Sequence, residues 1–464
     1  MAANINIVTV NASVLQAPTP NNLQQNGAFI SQGGTTLAKG TASLVSTFAQ
    51  LQSILATGKT ISSLTWATGT VTVTTSAAHG WTVGDTPVSI VIAGAVPAGY
   101  NGTFNATITG ANTLTYPLAS NPGAETTPGT VSLGSVVEVT QMGNTYFAGN
   151  GVPSIYVVEL GEGTPTEGVA ALTTFINKVA GTQQQIYSYL IPREWDNNAA
   201  FLTFLSNYTS VNALINFWVT TTVANQTVYA GLNCVYAQVE APNLPATEFS
   251  IASPFGTALT ALPSSGNKLA PLSYAPSYGT TAYPITGNQS VLQGLATNNV
   301  GWIGTGQQGG ISSNIVYQGK MSDGNFWNFW YSVDWAQINM QQALANEVIN
   351  GSASNLNPLY YNQAGINRLQ NRVVQVAAKG VASGVGNGKI VVTKLPQAQF
   401  LANLNAGLYE TQIVINAEPF LTYAQENPND YGIGKYAGIS CVWIPQLPFL
   451  NVYFNLIATT LLIA

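Results

Sequence analysis

His79 is the only histidine in a chain of 464 residues, so a Ser–His–Asp triad or a histidine-centred metal cluster would have to be built on it. It stands in Ala77-Ala78-His79-Gly80, which reads as a turn. Cys234 and Cys441 have no metal-ligand spacing and are too few for a disulfide framework; whether either forms a disulfide stays open. Two glycine-rich runs imitate nucleotide loops. In the run from Gly432 to Gly438 the third glycine comes one place late for a dinucleotide fingerprint, and β-rich sequence follows where a helix must open. In the run ending at Lys389, Ser383 replaces the first glycine of a phosphate loop and Ile390 replaces its metal-binding hydroxyl. Asp196, Asp323, Asp334 and Asp430 could pair as glycosidase carboxylates, yet each stands where a cap or turn residue is expected. Trp327, Trp330, Trp335 and Trp443 could stack on sugars, but packing in a core or interface is the plainer role. The expectation is a protein that is not an enzyme and uses no metal or cofactor.

Charge is the remaining chemistry. Between Gly351 and Leu408 stand Arg368, Arg372, Lys379, Lys389 and Lys394, with no acid among them. At about 100° per residue, Arg368, Arg372, Gln375 and Lys379 share one helix face. Ile366, Leu369, Val373 and Val376 occupy another. Such a face is either solvated or a partner surface. Charge is scarce elsewhere, at 6% of residues against about 25% in ordinary chains, which favours a partner. Asn, Gln, Thr, Ser and Gly must supply the polar surface. A chain so poor in charge is expected to bury much of its surface against copies of itself or other proteins. With a net charge of −5, nothing in the balance points to a general nucleic-acid binder. The start, MAANINIVTV, lacks the features of a signal peptide. The most apolar run, Val452 to Ala464, falls short of the ~20 residues of a membrane span.

The elements that position these residues are read in order. Asn4 to Val10 is a strand without a local partner, followed by a Pro-rich loop. A helix is expected over Val45–Ala56. Ser62 to Leu133 alternates Thr and Val between Gly, Pro and Asn turns, with strands at Thr70–Thr75, Val88–Ile92, Thr103–Ile108 and Thr113–Tyr116 at sandwich-like spacing. It reads as a small all-β module inserted into a larger unit. Strands then alternate with helices (strands Val152–Leu160, Gln185–Ile191 and Ala213–Thr220; helices Thr166–Val179 and Asn197–Tyr208), which predicts βαβ units and a partly parallel sheet. Pro242 to Gly310 reads as a long irregular connection. From Val316 a strand, an Asp323-Gly324 turn and an aromatic strand lead into a helix capped by Asp334, with Ala336, Met340, Leu344 and Val348 on one face. A second helix carries the basic face and stops at Lys379-Gly380. Ile390–Leu395, Gly407–Asn416 and a strand ending at Ile444 follow. The fold class is α+β and multidomain: an α/β core with a mixed sheet and packed helices, the inserted β module, and β-strand arms at both ends. The divisions are an arm over residues 1–22, a middle α/β domain over 23–61 and 134–310, the β module over 62–133, an inner domain over 311–446, and a second arm over 447–464.

Three stretches carry a resemblance: QMGNTYFAGNGVPSIYVVELG, YQGKMSDGNFWNFWYSVDWAQINMQQAL and DYGIGKYAGISCVWIPQLPFLNVYFNLIAT. Their order, over some 330 residues from Val136 onward, resembles the contractile phage-tail sheath proteins, with Asp334-Trp335 at that family's Asp-Trp pair. The inserted module resembles decoration modules of phage virion proteins through its HG…VGD…GYNGTF core, and it departs from the compact family pattern. The resemblance implies a virion protein, assembled in the host cytoplasm, that stacks as six-subunit rings around an inner tube and drives the tube through the host envelope on contraction. Implied partners are further copies, the tail tube protein, and baseplate and tail terminator proteins, with no direct nucleic acid and no stable membrane insertion. It also implies arms that add strands to neighbouring subunits, which would fall here on Ile5, Ile7 and Val10 and on Val452, Phe454 and Leu456. The face of Arg368, Arg372 and Lys379 would then meet the tube. The competing reading is a receptor-binding adhesin that applies the β module and exposed aromatics to surface glycans.

Overall fold

The computed structural model describes residues 23–182, 184–210, 212–306 and 313–452. Ile5, Ile7, Val10, Phe454 and Leu456 lie outside these residues. The fold is mixed α+β, with a large mixed sheet, a closed β-barrel and a separate small sheet.

The chain enters the large sheet with β1 (Gly27–Ser31) and β2 (Thr41–Val45), then turns into α1 (Phe48–Ile54) behind an N-cap at Thr47. The expected helix over Val45–Ala56 is therefore shorter, because Val45 still pairs with Ile155 in the sheet. Six strands follow: β3 (Lys59–Ala67), β4 (Thr70–Thr75), β5 (Gly84–Ala93), β6 (Gly102–Ile108), β7 (Thr113–Pro117) and β8 (Thr130–Leu133). They close into a barrel in the order β3-β4-β7-β6-β5-β8, so the expected sandwich spacing belongs to one sheet rolled on itself. Alternate residues such as Val71, Val73, Ile90, Ile92 and Leu114 fill it. Gly129 permits the closure: its φ is +74°, and a Cβ there would lie 2.3 Å from the Ala93 carbonyl oxygen.

The chain returns through α2 (Gly134–Phe147), β9 (Ile155–Glu159), α3 (Pro165–Val179), β10 (Ser188–Leu190), α4 (Ala199–Leu205), β11 (Asn216–Thr221) and β12 (Val235–Val239). Next come α5 (Ala252–Leu259), α6 (Gln289–Thr297), β13 (Gly301–Thr305) and β14 (Asn314–Tyr317). The strand order is β14-β13-β12-β11-β10-β1-β9-β2; the six inner strands are parallel and both edge strands antiparallel. β1, β11 and β12 are buried at every position, as strands covered on both faces must be. Phe29, Val157, Leu190 and Trp218 pack on one side with α2 and α5. Ala28, Val158, Tyr189 and Phe217 pack on the other with α3 and α4. The span from Pro242 to Gly310 is not a wandering connection. α5 was illegible because its apolar residues surround it and it contains Pro254 and Gly256.

α3 shows how closely sequence can specify an element. Thr164 and Glu167 form a reciprocal capping box with Pro165 at the first helical position. Those Thr164 hydrogen bonds hold the Glu167 carboxyl below its ordinary range. Thr164→Ala is expected to cost about 1 kcal/mol of stability, read from urea midpoints at constant slope. An unchanged midpoint would leave the box without energetic weight.

α7 (Trp327–Ala353) is the longest helix described, at 27 residues and about 40 Å. It joins two bodies. Its first half packs Trp327, Tyr331 and Trp335 against the large sheet's core, and Met340 and Leu344 pack in the small body. The expected aromatic strand is in fact the start of this helix, and Asp334 is not a cap but a buried residue inside it. α8 (Gln363–Ala382) follows, then β15 (Lys389–Thr393), α9 (Gln397–Asn405), β16 (Gln412–Ala417), α10 (Phe420–Glu426) and β17 (Ile439–Val442). β15-β16-β17 form a three-stranded sheet with α8 on one face and α9 on the other. α8 does not stop at Lys379-Gly380. It continues to Ala382, and Gly384 at φ +67° follows its Ser383 cap. Gly380 is small for another reason: a Cβ there would lie 2.6 Å from Trp443 and 2.8 Å from Trp335.

Candidate functional site

The α7–α8 pair holds the basic residues singled out by sequence. Asn362 caps α8 by accepting from the Gly365 amide, which fixes the helix start and hence the face on which each later residue lies. Arg368 and Arg372 point back to α7, where Glu347 is buried. Arg368 donates to Glu347 Oε1 from Nε at 3.1 Å and Nη2 at 2.5 Å, and Arg372 Nε donates to Oε2 at 2.5 Å. Arg368 Nη1 also donates to the Asn357 and Pro358 carbonyl oxygens and to Asn357 Oδ1. Burial works to raise the Glu347 carboxyl, but the hydrogen bonds and charges of Arg372 and Arg368 outweigh it and hold the group below the ordinary range. Two of the three expected cations thus brace the helix pair. Lys379 is exposed and makes no ion pair among the described residues. It lines an open groove of about 350 Å³ with Asn346, Asn350, Arg372 and Gln375.

The small sheet carries the second feature. β15 and β17 are its outer strands, and each has one side without a strand partner among the described residues. Val392 on β15 is exposed, and so are Leu401 and Leu404 on α9 and Leu408 after it. Most of the exposed large hydrophobic side chains described fall at or beyond Val348. Leu356, Phe449 and Val452 are 100%, 81% and 80% exposed. The chain leading to Val452 is tied to the body where Tyr274 Oη donates to the Leu450 carbonyl oxygen. At the other end Gln24 Nε2 donates to the Tyr331 carbonyl oxygen in α7 at 3.0 Å.

Of the aromatics considered for sugar stacking, Trp335 and Trp443 serve the joint between the bodies, and Trp327 and Trp330 pack on the large sheet's core. Trp443 Nε1 donates to Ser332 Oγ, which donates to the Val385 carbonyl oxygen, both at 2.8 Å. Trp335 stacks on Trp443 at 6.4 Å, Trp327 meets Tyr331 at 4.9 Å, and Trp330 Nε1 donates to Asp323. The four aspartates have separate partners. Asp196 accepts from Asn225 and Tyr229, Asp323 from Asn325 and Trp330, Asp334 from Tyr187, and Asp430 from Tyr423 and Lys435. Sequence reasoning missed Glu138, Arg193 and Glu240. Arg193 donates to Glu240 through Nε and Nη2 at 2.8 and 2.9 Å and lies 4.1 Å from the Phe249 ring centroid. Their wide separation along the chain left no local signal. Cys234 and Cys441 are both free thiols. Among the described residues, no group of His, Cys, Asp and Glu could hold a metal ion, and no helix is long and apolar enough to cross a membrane.

No family model matches the chain, and no curated protein matches it. Among solved structures it is similar to the sheath tail protein Lin1278 from Listeria innocua, at 10% identity and a TM-score of 0.40, over 78% of this chain and 86% of that one.

Proposed function

We propose that this chain is a structural virion protein that polymerises with copies of itself into stacked rings, forming a contractile tail sheath around an inner tube. The observation that carries the reading is the surface of the small body. In a chain with only 6% charged residues, exposed apolar side chains gather beside a sheet whose two outer edges have no strand partner among the described residues. Open strand edges and apolar side chains are what strand addition between subunits requires. The terminal segments, Ile5, Ile7 and Val10 at one end and Val452, Phe454 and Leu456 at the other, are the strands we assign to neighbouring copies. Lys379 and the groove beside it, which Arg372 also lines, form the tube-facing surface, with Arg368 bracing the helix pair. The reading involves no chemical step or cofactor; the work of contraction comes from the assembled lattice.

Negative-stain microscopy of the purified chain is expected to show long helical polymers. Deleting residues 1–15 or 449–464 is expected to leave folded protein that no longer polymerises. Lys379→Glu is expected to keep tube-free polymers while losing decoration of tubes. Soluble trimers that bind surface glycans would instead assign an adhesin, and normal polymers from both truncations would remove the arms from the reading.

A further inference from the structure

The last described residues form a strap between the two bodies. Its near end is fixed to the small body by backbone bonds: the Asn387 amide donates to the Ile444 carbonyl oxygen, and the Gln446 amide donates to the Val385 carbonyl oxygen. From Leu447 to Val452 the chain is neither helix nor strand, and Leu447, Phe449 and Val452 are exposed. Among the described residues, one hydrogen bond holds these six to anything else, the one from Tyr274 Oη to the Leu450 carbonyl oxygen.

The donor is held far more firmly than what it holds. Tyr274 begins a segment that lies along the outer edge of β14. Its amide donates to the Val316 carbonyl oxygen, the Val316 amide donates to the Ala275 carbonyl oxygen, and the Ser277 amide donates to the Asn314 carbonyl oxygen. The Tyr274 ring meets Tyr317 edge-on at 5.6 Å, and Tyr317 stacks on Trp302 at 5.2 Å. The φ of Tyr274 is +64°, a left-handed conformation that a bulky side chain rarely adopts. Gln318, which follows β14, has a φ of +71°, and its carbonyl oxygen accepts from Ser273 Oγ. Strain of this kind persists only where the surrounding contacts impose it. Here it sets the direction of the hydroxyl that the strap meets.

A rigid donor and a strap attached at one point make a releasable contact. We propose that Tyr274 is a latch: it parks the root of the C-terminal segment on its own subunit and opens when that segment passes to a neighbouring copy. The latched carbonyl lies two residues before Val452, the first residue of the segment assigned above to a neighbour. One neutral hydrogen bond suits the role, because it biases the free chain but is outcompeted by a row of strand hydrogen bonds. The hand-over rests on the assembly reading; the latch itself does not.

Tyr274→Phe keeps the ring and removes only the donor. Chymotrypsin reads the open population of the strap on the unassembled full chain, as the rate of cleavage between Phe449 and Leu450 resolved by mass spectrometry. When opening and closing are fast, cleavage follows that population. The variant is expected to be cleaved about two- to fivefold faster, which is what one neutral hydrogen bond is worth. Its polymers are expected to grow faster by the same factor, with an unchanged circular dichroism spectrum. Cleavage at the parental rate would overturn the latch. Faster cleavage with unchanged polymer growth would overturn the proposal too, since the contact would then restrain nothing that assembly uses. Faster cleavage where parent and variant alike form no polymers would keep the latch and remove the assembly reading instead.

Discussion

Glu347→Ala is expected to lower the stability of the chain by about 2–3 kcal/mol. Removing one partner of a fully buried ion pair costs about 3–5 kcal/mol, because the other charge is left in a poor solvent. Here the side chain of Glu347 is 6% exposed while those of Arg368 and Arg372 are 29% and 48% exposed, so water compensates part of the loss. Arg368 also keeps its three acceptors at Asn357 and Pro358. Arg372→Gln should therefore cost under about 1 kcal/mol. Because the Glu347 carboxyl sits below its ordinary range when folded, its contribution is present above the unfolded value and fades as the pH falls through the lower folded one. Denaturant titrations of the two variants check the ordering. A Glu347→Ala cost within 0.5 kcal/mol of zero, the range of ordinary surface substitutions at about ±0.5, would mean the clamp carries no load.

Asp334→Asn should act in the opposite direction. The Asp334 carboxyl is buried on α7 and accepts from Tyr187 Oη at 2.6 Å; burial pushes it up to about 7 against the lowering effect of that hydrogen bond. Between the ordinary aspartate value of about 4 and the raised one, the folded chain holds a proton that the unfolded chain has released. Stability must then fall as the pH rises through that window. A rise from about 4 to about 7, at about 1.4 kcal/mol for each pH step of one, makes the loss on the order of 4 kcal/mol by pH 8. Glu138 adds to the same slope, because burial outweighs Arg193 and lifts it to about 7 as well. The asparagine variant is expected to be more stable than the parent at pH 8, with a melting temperature that varies less between pH 4 and 8. A variant less stable than the parent at pH 8, with the parental slope intact, would contradict this account.

These two residues also show what was legible in the sequence. α3 and the strand Thr70–Thr75 could be read almost to the residue, since a capping box and a strict alternation are local signals. The start of α7 could not. Its aromatic run resembles a strand, and Asp334 resembles a cap, until the spacing of Trp327, Tyr331 and Trp335 at i, i+4 and i+8 is given more weight than β propensity. The basic residues of α8 were legible as a run on one helix face; the acid that two of them meet was not. That acid, Glu347, stands on the preceding helix outside the acid-free window, so only the packing of α7 on α8 could reveal it. The hold of Tyr274 on the strap was illegible for the same reason: Tyr274 and Leu450 stand 176 residues apart.

The barrel's closure has a consequence for how the chain can change. Its first and last strands are hydrogen-bonded neighbours, with Lys59 beside Val131 and Thr60 beside Thr130. The polypeptide therefore leaves the α/β body and comes back within one strand spacing, about 5 Å. Any domain whose own ends meet at that separation can be spliced in at the same point without redirecting the chain on either side. The position between α1 and α2 is thus a natural grafting port, where one compact domain can be exchanged for another without redirecting the α/β body.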